Sequence, residues 1–285
     1  SDFGHICPNA HLYREKVGIC ESCTSNSLFQ AVKHKCISNS YSHSAIKAFS
    51  LAIMNINRVK EKVDGFVFPS SFTMNKYIAK GFDVKKTFHI PTFFNAAQLA
   101  QSKEIRYGNY AVYIGRLEKE KGIETLINAF LKTNHKLKII GFSNDSYEAS
   151  LKSMVQGRED QIAFLGKLDF EEISNYLQEC LFTVVPSEWF ENFPNTVLES
   201  FAFKKAVLAT NIGSLPEIVN ESNGFCFDYA SSDSLKEKIN YMFSNKEEAQ
   251  IKGENGFKTL NTDYSSDYHY SQLISVFKKI IVNTN

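Results

Sequence analysis

The sequence predicts an α/β protein with one complete doubly wound domain over residues 101–265 and an incomplete domain over residues 1–100. Three observations carry this expectation. From residue 110 onward, short β-rich apolar runs alternate with stretches of helical spacing, the pattern of a buried parallel sheet covered by helices. Six such runs fall in the second half, enough for a full sheet, whereas the first hundred residues hold only two, which alone make a marginal sheet. The chain also has 285 residues, more than the roughly 100–200 of one typical domain.

The candidate strands are 110–114, 137–140, 161–164, 181–185, 206–209 and 224–227, and the candidate helices between them are 122–131, 147–155, 170–180, 196–203 and 215–219. The helices carry apolar residues three or four apart, and Asp169 stands where a cap for the third is needed. In the first half, 38–59 reads as one long helix, 63–69 and 87–91 as strands, and 71–80 as the helix between them. The polar stretch 96–109 is the candidate linker, and 265–281 reads as a terminal helix with Tyr268, Leu273, Val276, Phe277 and Ile280 on its apolar side.

Composition narrows the function. Lys and Arg total 32 against 31 for Asp and Glu, so the chain lacks the basic footprint that nucleic-acid binding requires. No apolar run is long enough to span a bilayer, and the first residues show no signal region, so a cytoplasmic protein is expected. The chain begins at Ser1 rather than Met, as a processed or engineered end, or the cut edge of a longer protein, would.

In doubly wound folds ligands bind outside the carboxyl ends of the strands, so the loops there are where chemistry belongs. Strand 110–114 runs into GRLEKEKG, which places Gly115, Arg116 and Lys121 ahead of a helix amino end. A planar guanidinium, a compact ammonium and exposed helix amides together suit a diphosphate; the alternative is a solvated turn, as Glu118, Lys119 and Glu120 are expected to be. After strand 181–185 comes PSEWFENFPNTVLESFAFKKAVLAT. Pro194 suits the first turn of a helix, leaving the amides of Asn195, Thr196 and Val197 for an anion. Glu199, one turn further, offers a carboxylate to a vicinal diol such as a ribose, and Glu191 stands nearer the place for a sugar. The competing account makes both glutamates surface charges, against which Trp189, Phe190 and Phe193 argue.

The ordered segments YIGRLEKEKGIETLINAF, QIAFLGKL and PSEWFENFPNTVLESFAFKKAVLATNIGSLPEIV resemble the carboxyl-terminal domain of family 4 glycosyltransferases, retaining enzymes of the GT-B fold. The spacing of Glu191 and Glu199 matches that family's E-x7-E motif. VDGFVFPSSFTMNKYIAKGF resembles the end of the family's first domain, ICPNAHLY with later cysteines resembles a bacterial subset, and 265–281 resembles the helix that returns to the first domain. The resemblance implies a nucleoside diphosphate sugar donor held through its diphosphate by Arg116 and Lys121, its ribose by Glu199, its transferred sugar by Glu191, Asn192 and Phe193, and its base near Leu165 and Gly166. Arg116, Lys121 and Glu191 are then the catalytic set, no metal is needed, and no covalent nucleophile is assigned. The implied acceptor is a glycan or a lipid-linked sugar, with weak contact at the inner membrane surface. Three departures stand against the family pattern. Ser1 precedes Asp2 where the family has a donor-touching His, TFFNAA replaces an Asn-Gly turn, and an upstream half-domain with a glycine-rich loop is missing from these residues. Unless a partner chain supplies that half, donor binding is expected to survive better than transfer. A non-catalytic nucleotide-sugar-binding module or donor half of a split enzyme is the alternative; a GT-B epimerase or phosphorylase is the weaker third reading.

Cys7, Cys20, Cys23 and Cys36 make a C-x12-C-x2-C-x12-C pattern. Four thiolates suit a structural zinc, while reduced thiols or a disulfide are the alternatives; catalytic zinc is disfavoured because four thiolates leave no open position. The histidines show no metal spacing, although His5 and His11 flank the expected acceptor side.

Overall fold

A computed structural model describes residues 2–25, 27–95, 104–143 and 146–284. The chain forms two compact units: Ser1–Thr92 with Trp189–Phe193 and His269–Asn285, and Phe93–Glu188 with Pro194–Tyr268.

In the first unit, β1 (Tyr13–Arg14) and β2 (Gly18–Ile19) form a two-residue antiparallel ladder, followed by the short helices Ser22–Ser25 and Phe29–Lys33. The expected helix 38–59 is shorter than its apolar pattern suggests. Ser38 and Asn39 are left-handed, Ser40 caps the helix Tyr41–Ile56 by accepting from His43 N–H, and left-handed Arg58 breaks it before the turn Val59–Lys62. β3 (Phe66–Phe68) and β4 (Thr87–His89) pair in parallel, joined through the helix Ser71–Ile78. Tyr77 on that helix packs between Phe68 and Phe82, with ring centroids 4.8 and 4.9 Å away, and donates its hydroxyl to the Asp2 carbonyl at 2.7 Å. Burial first, then the nearby Asp2 and Cys7, push its phenol up to about 12. From His269 on, the terminal helix Ser266–Thr284 belongs to this unit, and His269 Nδ1 lies 2.7 Å from the Pro91 carbonyl.

The second unit holds a six-stranded parallel sheet of β5 (Tyr110–Ile114), β6 (Lys136–Ile140), β7 (Ile162–Gly166), β8 (Phe182–Val185), β9 (Ala206–Thr210) and β10 (Gly224–Phe227). The strands lie in the order β10-β9-β8-β5-β6-β7. That is the doubly wound order, with its reversal between β5 and β8. Burial on both faces explains the unbroken apolar composition of β8 and β9, every residue of which is buried. Leu126, Ile127 and Phe130 from the helix Ile123–Leu131 and Leu235, Ile239 and Met242 from the helix Ser232–Ser244 fill the core against Leu137, Phe182 and Leu208. The helix Phe170–Glu179 starts with a capping box between Asp169 and Glu172. Residues 96–103 of the candidate linker lie outside the described residues.

Two helices of this unit are absent from the sequence-based expectation: Ser232–Ser244 and Lys246–Thr262. The second contains Gly253 and Gly256, poor helix formers that are needed for close approach. A Cβ at Gly253 would strike the Lys204 carbonyl, and one at Gly256 the ring of Phe201. The neighbouring Lys205 is fully buried at the amino end of β9, bonding the Arg106 carbonyl and, at 3.0 Å, the Gln178 carbonyl, 4.0 Å from the Tyr107 ring centroid. Burial pushes its amine down to about 8.

Candidate functional site

The reversal in strand order leaves the loops after β5 and β8 side by side at the carboxyl edge of the sheet. They are fastened to each other. Glu188 donates its N–H to the Glu120 carbonyl at 2.7 Å, and Thr125 donates its hydroxyl to Glu188 Oε1 at 2.5 Å. Gly122, left-handed at φ +68°, caps the helix Ile123–Leu131 where a Cβ would collide with the Pro186 carbonyl. These contacts hold the turn Lys119–Lys121, and with it Lys121, beside the β8 loop.

Arg116 is anchored through its backbone and exposed at its head. The Tyr113 hydroxyl donates to the Arg116 carbonyl at 2.8 Å, and the next residue, fully buried Leu117, donates its N–H to the Phe142 carbonyl at 3.0 Å. The guanidinium is exposed, its Nη1 2.6 Å from Glu118 Oε1. Glu118 is therefore not the solvated charge expected from the sequence. Its Oε2 is buried without a partner, and burial, followed by the neighbouring Glu120, pushes the carboxyl up despite Arg116. Glu188 was not singled out in the sequence either; burial pushes its carboxyl up as well, and Thr125 partly offsets this.

The helix Asn195–Ala202 follows the β8 loop, seated on β8 by a 2.7 Å hydrogen bond from Thr183 to Ser200. Pro194 stands at the cap in an extended conformation, outside the first turn where the sequence placed it, and no side chain caps the helix. The Val197 N–H bonds the Pro194 carbonyl at 3.1 Å, so of the three amides expected for an anion, that of Val197 is engaged and those of Asn195 and Thr196 are the ones left at the helix end. Glu199 is half-buried, and no described residue donates to its carboxylate or pairs with it. Burial pushes this carboxyl up.

Leu165 and Gly166 end β7. Gly166 is left-handed at φ +73°, its carbonyl accepts from Gly141 N–H at 2.8 Å, and the space where a Cβ would stand is open. Gly115 follows β5 and donates its N–H to the Ile140 carbonyl at 3.0 Å.

Glu191, Asn192 and Phe193 belong to the first unit. Asn192 Oδ1 accepts from Thr73 Oγ1 at 2.8 Å, and Phe190 packs on Phe72 with centroids 4.8 Å apart. Glu191 is 9% exposed and Phe193 is half-buried. The second unit thus holds Arg116, Lys121, the helix end and Glu199, while Glu191, Asn192 and Phe193 belong to the first, Asn192 bonded to the helix Ser71–Ile78.

In the first unit Cys7, Cys20, Cys23 and Cys36 line one small cavity as free thiols, with no disulfide among them. Among the described residues no three His, Cys, Asp or Glu side chains are grouped as a metal site.

Residues 96–259, more than half of the chain, match the family model described as glycosyl transferases group 1. The chain belongs to the group 1 glycosyl transferases. Among the relatives of this group 1 chain is an uncharacterized glycosyltransferase of Methanocaldococcus jannaschii, 28% identical over 212 residues that cover 73% of this chain and 57% of the relative. A capsular polysaccharide biosynthesis glycosyltransferase of Staphylococcus aureus is 27% identical over 175 residues, 59% of this chain and 46% of that protein. The chain therefore spans about half the length of the curated relatives it matches. In fold, it is similar to the Anabaena protein HepE, solved in complex with UDP, with a TM-score of 0.72 at 18% identity over 83% of this chain and 67% of that one.

Proposed function

We propose that the chain carries the donor site of a retaining family 4 glycosyltransferase that moves a hexosyl unit from a nucleoside diphosphate sugar to a glycan or lipid-linked acceptor. One observation carries the reading: two cations, an uncapped helix end and an unpartnered carboxylate meet beside β5 and β8, the complement of a diphosphate joined to a ribose. Arg116 and Lys121 take up the charge that develops on the departing nucleoside diphosphate, the work a divalent ion does in other enzymes. The Glu199 carboxylate accepts from the ribose hydroxyls, Leu165 and Gly166 border the base, and Glu191, Asn192 and Phe193 contact the sugar. The sequence resemblance supports retention by a front-face route without a covalent adduct. The Staphylococcus aureus relative, named for capsular polysaccharide biosynthesis, supports a polysaccharide acceptor; the lipid-linked alternative and a place at the inner membrane surface rest on the sequence resemblance. No helix among the described residues is long and apolar enough to cross a membrane.

Calorimetric titration with UDP, GDP and their hexose conjugates tests the reading, followed by a hydrolysis assay on whichever binds. Binding with slow hydrolysis is the expected result, and failure of every nucleotide to bind sinks the donor site. Binding without turnover favours the second reading, a donor-binding module or half-enzyme.

Glu199→Gln separates function from stability. A carboxyl whose pKa is higher in the folded than in the unfolded chain costs stability at pH values above both, and this cost fades as pH falls below them. The substitution is therefore expected to leave the ligand-free chain at neutral pH as stable as before or more so, while weakening nucleotide affinity about tenfold. Denaturant melts paired with calorimetry check both halves; equal affinity removes Glu199 from the ribose site.

A further inference from the structure

Residues 2–40 contain two-residue strands and helices of four and five residues, an arrangement too short to hold itself together through backbone pairing. The buried apolar side chains there are few: Phe3, Ile6, Leu12 and Ala31, besides Cys7. The turns are nonetheless tightly specified, with Ala10, Leu12, Lys35, Ser38 and Asn39 all left-handed without being glycine. Its ties to the rest of the unit include the Phe3 ring against Phe190, centroids 6.4 Å apart, the Tyr77 hydroxyl on the Asp2 carbonyl and the Lys76–Glu21 pair.

Cys7, Cys20, Cys23 and Cys36 come from four separate places in this segment, yet they line one cavity with Arg14. Backbone N–H groups of Leu12, Asn9 and His11 face Cys7, that of Ser22 faces Cys20 and that of Ala31 faces Cys23, donors of the kind that support a metal-bound sulfur. Arg14 brings a second, independent sign: its Nε is buried without a hydrogen-bond partner, an arrangement that is costly beside four neutral thiols. Cys7 Sγ lies 2.9 Å from Asn9 Oδ1 and Cys20 Sγ 3.5 Å from Ser22 Oγ, and among the described residues the sulfurs are not grouped on a common point. A metal on all four requires those two sulfurs to turn from these oxygens.

We propose that Cys7, Cys20, Cys23 and Cys36 form a structural zinc site with four thiolate ligands, and that Arg14 is the cation that offsets its negative charge. Four thiols release four protons to solvent as one zinc ion binds, leaving a site of net charge two minus that faces the Arg14 guanidinium. Closed by four sulfurs, the ion has no position for substrate, so its role is to hold the segment, independently of the donor-site reading.

The test uses the full chain, expressed with zinc and purified without chelator. About one zinc per chain is expected, and exchange for cobalt should give sulfur-to-cobalt charge-transfer bands with the intense visible bands of tetrahedral coordination. The paired variant Cys23→Ser, Cys36→Ser should lose the metal, while Cys226→Ser, outside the cavity, should keep it. Arg14→Met should weaken zinc affinity about tenfold with an unchanged cobalt spectrum. A folded, metal-free chain in which all four thiols alkylate overturns the proposal, as does zinc retained in the paired variant. Should that variant fail to fold, the cobalt spectrum of the unaltered chain decides alone: absence of the sulfur bands overturns the site.

Discussion

Replacing Arg116 and Lys121 together by alanine is expected to weaken nucleoside diphosphate binding by at least tenfold, and toward a hundredfold. A charge-assisted hydrogen bond contributes about 1.5 kcal/mol at its lower end, and two of them amount to about 3 kcal/mol, or about two decades in affinity. The exposure of the Arg116 side chain does not reduce this, because the ligand itself would cover it, while the existing 2.6 Å pair with Glu118 does. A diphosphate has to draw the guanidinium away from a carboxylate, which is why the lower figure is the secure one. The double variant should fold normally, since the loop is held by buried Leu117 and the Tyr113 hydroxyl rather than by either cation. Calorimetry at low and moderate salt reads the effect. An unchanged dissociation constant removes the diphosphate from this loop.

Gly122→Ala should destabilise the chain by about 3 kcal/mol or more and lower nucleotide affinity with it. Two costs add: a left-handed conformation for a residue with a Cβ, about 1–2 kcal/mol, and a collision with the Pro186 backbone, for which relief needs movement of a main chain. Gly157 supplies the comparison. Its φ is +79°, close to that of Gly122, but nothing stands within 4 Å of the missing Cβ, so Gly157→Ala carries the conformational cost alone, about 1–2 kcal/mol. Denaturant unfolding of both variants isolates the collision as the difference. Equal losses would mean that Gly122 does not stand against the Pro186 backbone as described.

The parallel sheet was legible because its strands are buried on both faces and so carry unbroken apolar runs; candidate strands 110–114 and 224–227 coincide with β5 and β10. The helix Ser232–Ser244 left a readable trace in the spacing of Leu235, Ile239, Met242 and Phe243 behind the Ser231 cap, and its absence from the sequence-based account is an oversight of pattern. Lys246–Thr262 is different in kind, for its glycines look like breakers until the carbonyl of Lys204 and the ring of Phe201 are seen against them. The placement of Arg116 and Lys121 in the loop after β5, and of Glu199 on the helix that follows the β8 loop, could be read from the alternation of strands and helices. Glu118 and Glu188 could not, because a carboxylate in a charged turn has the same local sequence whether solvent or protein surrounds it. Their burial is decided by residues distant in the chain, Thr125 and Glu188 being 63 apart.

Lys205 gives the second unit an internal reporter. Its amine is pushed down to about 8 by burial, and it regains the character of an ordinary lysine when that enclosure is lost. Being fully enclosed, it meets an acylating reagent only in those molecules whose sheet has momentarily come apart at its amino end. The rate at which this single position is labelled therefore counts opening events, and a nucleotide that binds the closed unit slows that count in proportion to its occupancy.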